Sequence, residues 1–199
     1  MADKAMADEN GKQTERETTL SRLFKSKMAA QLLISLRLAA LVATSTAAGL
    51  MAFNKETITV TVAVVGTKPI LQSFTAAFQQ TPAFVYFVVV NAIASLYNLL
   101  AMLLGPYLKN RGRDVLVHLS DMAVFALVAT GAAAAASMAE LGKNGNKYAR
   151  WNPICDRFEA FCIRGGVALV AAFVGAVLLL VMNAFTAISL MCKSVASNN

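Results

Sequence analysis

Met28 to Phe53 reads MAAQLLISLRLAALVATSTAAGLMAF, an almost unbroken apolar run with one charge inside it, Arg37. A helix rising about 1.5 Å per residue needs roughly 20 such residues to cross a hydrocarbon core of about 30 Å, so the stretch reads as a membrane span. A guanidinium at that depth keeps its charge, and holding it there costs several kcal/mol unless it snorkels or finds a partner. The natural partner is an acid on another span, and working outward along the chain there is one, Asp121.

The remainder of the 199 residues repeats the pattern: the composition is 57% hydrophobic and 15% charged. Four blocks stand out, at 28–53, 82–107, 115–139 and 165–191. They predict an all-α membrane protein, a four-transmembrane-helix bundle over 28–191. Residues 1–27 are polar with no apolar periodicity and read as a disordered tail; 192–199 form a short C-terminal tail. Four spans put both termini on one side. Arg22, Lys25 and Lys27 beside the first span, and Lys109, Arg111 and Arg113 between the second and third, favour the cytosol for that side. Lys143, Lys147, Arg150, Arg157 and Arg164 in the last loop oppose this; the short, wholly basic loop between spans two and three decides it. The net charge of +7 is thus a topology signal beside a lipid bilayer. It forms no nucleic-acid motif, and no nucleic-acid partner is expected.

After the first span, Thr57, Thr59 and Thr61 alternate with Ile58, Val60, Val62 and Val64, the period of a short extracellular β-strand. Gly66 to Pro69 reads as a turn. Leu71, Phe74 and Phe78 then recur at helical spacing, which predicts a short amphipathic helix leading into span two, with Thr81 capping and Pro82 in its first turn.

Asn91, Ser95 and Asn98 lie at i, i+4 and i+7 on the second span and form a polar stripe that suits packing against other helices. Small residues recur four apart, as Ser45 with Gly49, Gly131 with Ala135, and Ala171 with Gly175, and let helices approach closely. In the second external loop Cys155 and Cys162 face an oxidising side, so a disulfide is the expectation. On a straight helix they would stand about 10.5 Å apart, beyond the roughly 4.4–6.8 Å a disulfide allows, so pairing requires a turn between them.

The inventory does not support an enzyme. His118 is the single histidine, which excludes a haem held by two histidines of one chain and any multi-histidine metal centre. No nucleophile–base set, phosphate-binding loop or dinucleotide fingerprint occurs, and no cofactor or metal is implied. Arg37 lies about 13 Å past Met28, and Asp121 about 9 Å past Val115, both measured from the cytosolic side, so an arginine's reach joins them as an intramembrane ion pair. Such a pair reads as a structural lock. The competing reading is a proton or ion pathway, but there is no chain of acids and no broken helix to carry one.

Together SLRLAALVAT in span one, FVYFVVVNAIASLYNLL in span two, VHLSDMAVFALVATGAAAAA in span three and WNPICDRFEAFCIRGGVAL in the second loop resemble the Casparian strip membrane domain protein family of plants. That family is related to the MARVEL four-helix proteins. In the first external loop TKPILQSFTAAF keeps only the outline of the Casparian members' signature, so the chain resembles a Casparian-strip-like member of the first subgroup. Arg37, Asp121, Cys155 and Cys162 are the positions that match the family. The resemblance implies a non-catalytic, multi-pass plasma-membrane scaffold with cytosolic termini. Such a scaffold self-associates, alone or with other family members, to organise a membrane subdomain, and positions extracellular wall-modifying enzymes. The alternative is a small-molecule or ion transporter, or a subunit of one.

Overall fold

The computed structural model describes residues 2–65, 68–105 and 111–198. Helix α1 (Ala2–Ala52) is followed by strands β1 (Lys55–Val65) and β2 (Lys68–Ala77) and a 3₁₀ turn over Phe78–Gln80. Helices α2 (Pro82–Leu104), α3 (Arg111–Asn144) and α4 (Glu159–Asn198) complete the order. Four segments are long and apolar enough to cross a membrane: Lys27–Ala52, Pro82–Leu104, Val115–Asn144 and Glu159–Met191. Residues 106 and 107, the expected end of the second span, and Lys109 of the basic loop lie outside the described residues.

The chain divides into two compact units, 1–36 and 37–199. The first is helical from Ala2 onward, where the absence of apolar periodicity predicts a disordered tail. Periodicity reports burial rather than helix formation, and this stretch is rich in Ala, Lys, Glu, Gln, Arg and Met, all good helix formers, with no proline.

In the second unit each helix turns one stripe inward at helical spacing. The stripes are Ala40, Thr44, Ala47 and Met51 on α1; Phe84, Phe87, Val90, Asn91, Ala94 and Asn98 on α2; Asp121, Val124, Val128, Ala132 and Ala135 on α3; and Ala168, Ala172, Ala176, Leu179 and Asn183 on α4. The opposite faces carry Leu, Ile, Val and Phe exposed outside the protein, as lipid-facing surfaces do. The outer half of the core clusters Met51, Phe84, Phe87, Phe161 and Leu169 with the buried alanines, and the Phe84 and Phe161 rings meet edge to face at 6.1 Å.

Two of the three small-residue pairs serve this packing. A Cβ on Gly131 would collide with Val90 of α2, and one on Gly175 would lie 3.0 Å from Thr44 Cγ2 of α1, whereas a Cβ on Gly49 meets nothing within 4 Å. Gly131→Ala is therefore expected to cost about 1–2 kcal/mol by overpacking, and Gly49→Ala to leave stability unchanged. Thermal unfolding of the two variants in the same detergent checks this.

The loop between α1 and α2 is a hairpin. β1 and β2 pair antiparallel with Thr57 opposite Thr75, Ile58 opposite Phe74 and Thr59 opposite Ser73, and the register shifts between Thr61 and Ala63. The hydroxyls of Thr57 and Thr75 lie 2.9 Å apart, and those of Thr59 and Ser73 3.1 Å. The helix expected from Leu71, Phe74 and Phe78 is absent: Leu71 and Phe74 lie in β2 and Phe78 opens the 3₁₀ turn. Leu71 and Phe74, three apart, fall on opposite faces of the strand, so their spacing carries no strand signal, and β1 needs a partner for its backbone groups, which the adjacent segment supplies. Residues 66 and 67 of the expected turn lie outside the described residues. Thr81 is the residue before α2, with extended backbone, and its side chain makes no capping bond; Pro82 stands in the first turn.

Helix α3 runs past the expected boundary at 139 to Asn144 and α4 starts at Glu159 rather than 165, so the loop between them shortens to 145–158. Gly145, with φ +67°, ends α3; its N–H bonds Leu141 O at 2.9 Å, and only glycine takes that conformation without strain.

Candidate functional site

Asp121 is fully buried and sits at the centre of a polar cluster to which all four helices contribute. From α1, Arg37 Nη2 donates to Asp121 Oδ2 at 2.7 Å, with the arginine side chain 14% exposed. From α2, the Tyr97 hydroxyl donates to Asp121 Oδ1 at 2.8 Å and also lies 3.3 Å from Val117 O. Val117 O is an acceptor, so the hydroxyl is the donor in both contacts, and its single proton favours the shorter one, to Asp121. The guanidinium carbon lies 5.9 Å from the Tyr97 ring centroid, within cation–π range. From α4, Asn183 Nδ2 donates to the Asp121 backbone oxygen at 3.2 Å and to Leu179 O at 2.9 Å.

The electrostatic logic follows from burial. Desolvating a carboxylate and a guanidinium costs several kcal/mol each, and their attraction repays this only when geometry is good and the remaining lone pairs are used. Here each carboxylate oxygen has a donor from a different helix. Tyr97→Phe removes one of them and leaves Oδ1 buried with the arginine alone on the far oxygen; a loss of about 1.5 kcal/mol is expected, read by unfolding in a bilayer mimic.

The stripe on α2 behaves differently from Asp121. Asn91 and Asn98 are fully buried among the helices, but Asn91 Nδ2 donates to Phe87 O and Asn98 Nδ2 to Ala94 O, both on their own helix at 2.9 Å. Ser95 Oγ likewise bonds Ala92 O at 3.0 Å. The Oδ1 atoms of Asn91, Asn98 and Asn183, Arg37 Nη1 and His118 Nδ1 are buried without a partner.

Tyr97 and Asn183 are uncharged, so the charges that mark Arg37 and Asp121 in the spans do not single them out. The signal was the same depth argument: Tyr97 lies about 10 Å from the Leu104 end of α2 and Asn183 about 12 Å from Met191, the level of Asp121 in each case.

At the outer end, Cys155 and Cys162 form a disulfide with Cα atoms 5.7 Å apart. The turn this requires is present: Arg157 N and Phe158 N both bond Ile154 O at 3.0 Å, and Cys162 N bonds Phe158 O at 3.1 Å as α4 begins. The adjoining loop is fastened to α3, because Gly142 O accepts from Ile154 N at 2.9 Å and Cys155 N at 3.3 Å. The hairpin is tied to the start of α4, where Glu56 Oε2 accepts from Phe161 N at 2.7 Å; a carboxylate suits the free N–H groups and positive end of a helix N-terminus. Among the described residues no group of three or more His, Cys, Asp or Glu could hold a metal ion.

The Casparian strip membrane protein domain matches residues 26–178. Among curated relatives, CASP-like protein 1B1 of Sorghum bicolor is 55% identical over 157 residues, 78% of this chain and 74% of its own length. CASP-like protein 1B1 of Glycine max is 51% identical over 181 residues, covering 89% of this chain and 93% of the relative. CASP-like protein 1B2 of Oryza sativa subsp. indica is 48% identical over 183 residues, covering 90% and 92%. No solved structure matches the chain.

Proposed function

The chain belongs to the Casparian strip membrane protein domain family, a multi-pass membrane protein, and from that premise we propose that it is a non-catalytic scaffold of the plasma membrane with cytosolic termini. It self-associates, with its own kind or with family members, to organise a membrane subdomain, and extracellular wall-modifying enzymes are the partners it positions.

The observation that carries this reading is that Asp121 is held from all three other helices. Both carboxylate oxygens and the backbone oxygen of Asp121 are engaged by side chains of the other three helices, so the intramembrane charges hold the bundle in one arrangement. Outward of this layer the interior is filled by Val128, Ala132, Ala94 and Ala168, all fully buried. A transporter, or a subunit of one, needs its intramembrane charges to change partners along a path; fixed charges under a close-packed layer suit a rigid building block instead. Self-association has a surface to work with, since the Ser45 and Gly49 face of α1 is left unused by the chain's own packing.

The test is to count copies. Fluorescently labelled protein reconstituted at low density in planar bilayers should show multi-step photobleaching and diffusion slower than that of a monomeric four-span protein. Single-step bleaching and free diffusion at every density would reject the scaffold.

A further inference from the structure

The outer end of the helix bundle holds a cavity of about 710 Å³, and its lining includes Met51, Asn54, Phe84, Trp151, Phe161 and Leu169. That volume is within the range of sites for small organic ligands, roughly 300–1,000 Å³. The wall is mostly apolar, with Glu140, Lys143 and Glu159 also contributing.

One polar group is out of keeping with that wall. Asn54 is 1% exposed; its Nδ2 is fixed by donating to Phe161 O at 2.8 Å, and its Oδ1 has no partner. Among the described residues, Asn54 is the one with a buried unpartnered side-chain atom that also lines this cavity. The amide cannot turn over to satisfy Oδ1 without losing the bond to Phe161, so an acceptor without a partner stays buried behind the cavity wall, and a ligand reaches it only when that wall gives way. Gly165, with no side chain, leaves the wall open beside it: a Cβ there would lie 3.5 Å from Asn54 Nδ2 and 3.9 Å from Met51 Cε. Met51, unbranched and flexible, is the adjacent side chain that can swing to admit a ligand.

We infer that this cavity binds an uncharged amphiphile, an apolar body with a hydroxyl that donates to Asn54 Oδ1. A donor is required because the free atom is an acceptor. A neutral one is favoured because Glu140, Lys143 and Glu159 are exposed residues of the lining, whereas at the buried Asn54 an ammonium would face an amide oxygen, which costs far more than burying a hydroxyl. The apolar body lies along Met51, Phe84, Phe161 and Leu169. The molecule reaches the site either from the outer leaflet or from the external solution.

Trp151, the chain's single tryptophan, lines the cavity and supplies the readout. A bromine-tagged dodecanol should quench its fluorescence saturably in the full-length protein in nanodiscs. It should bind about tenfold more tightly than the same bromoalkane without the hydroxyl, the scale of one hydrogen bond to a buried acceptor. Asn54→Leu should abolish that preference. Gly165→Leu, whose Cβ meets only ordinary contacts, should fill the site and remove the saturable quenching while the protein remains folded. A short bromobutanol that scarcely enters lipid distinguishes the sources: saturable quenching by it, following its aqueous concentration, means entry from solution, and saturable quenching by the dodecanol alone means entry from the bilayer. Unsaturable quenching, equal binding of the two probes by the unaltered protein, or undiminished quenching in Gly165→Leu would overturn the inference.

Discussion

Arg37→Ala is expected to destabilise the helix bundle by roughly 3–5 kcal/mol, because it leaves the fully buried carboxylate of Asp121 without its counter-charge. Asp121→Ala should cost a similar amount by stranding the guanidinium and releasing the Tyr97 hydroxyl. The double variant removes both charges, so neither is left uncompensated, and its loss should fall well short of the sum; a coupling of 1 kcal/mol or more is expected for residues in direct contact. Arg37→Lys keeps the charge but gives up the planar group facing the Tyr97 ring and should fall between the unaltered protein and the alanine variant. Reversible unfolding in bicelles measures all four. Additive losses would show that the two charges act separately.

The second large effect concerns the disulfide. Breaking Cys155–Cys162, by serine substitution at either position or by reduction, should lower stability by about 2.5 kcal/mol, the chain-entropy value for so short a loop. The loss should be local first. The bonds from Ile154 and Cys155 to Gly142 O and the Asn146–Trp151 backbone pair are the ones the cross-link holds against fraying, so hydrogen exchange should quicken at 142–162 and remain slow at Asp121. Unchanged exchange in this segment after reduction would mean that the cross-link only records a conformation already fixed by the backbone hydrogen bonds.

The parts legible in the sequence are those governed by length and charge. Four apolar blocks require four spans because the bilayer sets a length, and Arg37 with Asp121 could be matched because charges are rare in such blocks and depth follows from the helical rise. The less legible parts depend on weaker or tertiary signals. β2 is hidden because Leu71 and Phe74 stand three apart, a helical spacing that puts them on opposite faces of a strand, and only pairing with β1 makes the segment extended. Tyr97 and Asn183 are unremarkable in sequence and gain their roles only when α2 and α4 bring them to the level of Asp121. The stripe of Asn91, Ser95 and Asn98 was visible, but the direction of its hydrogen bonds, back along α2, depends on rotamers that the spacing does not specify. Gly145 is equally hidden: the polar stretch from Glu140 to Asn144 places the end of the span at 139, and only the fold shows the positive φ and the Cβ position 2.5 Å from Trp151 O that a glycine answers.

On the proposed function the buried charges of the bundle hold its shape rather than move a solute. Ion and proton flux through proteoliposomes of the purified chain, compared with Asp121→Asn and with empty vesicles, tests it most directly. Flux equal to that of empty vesicles is the expected result for both proteins. Flux above that level in the unaltered protein, abolished by Asp121→Asn while the variant remains folded, would contradict it.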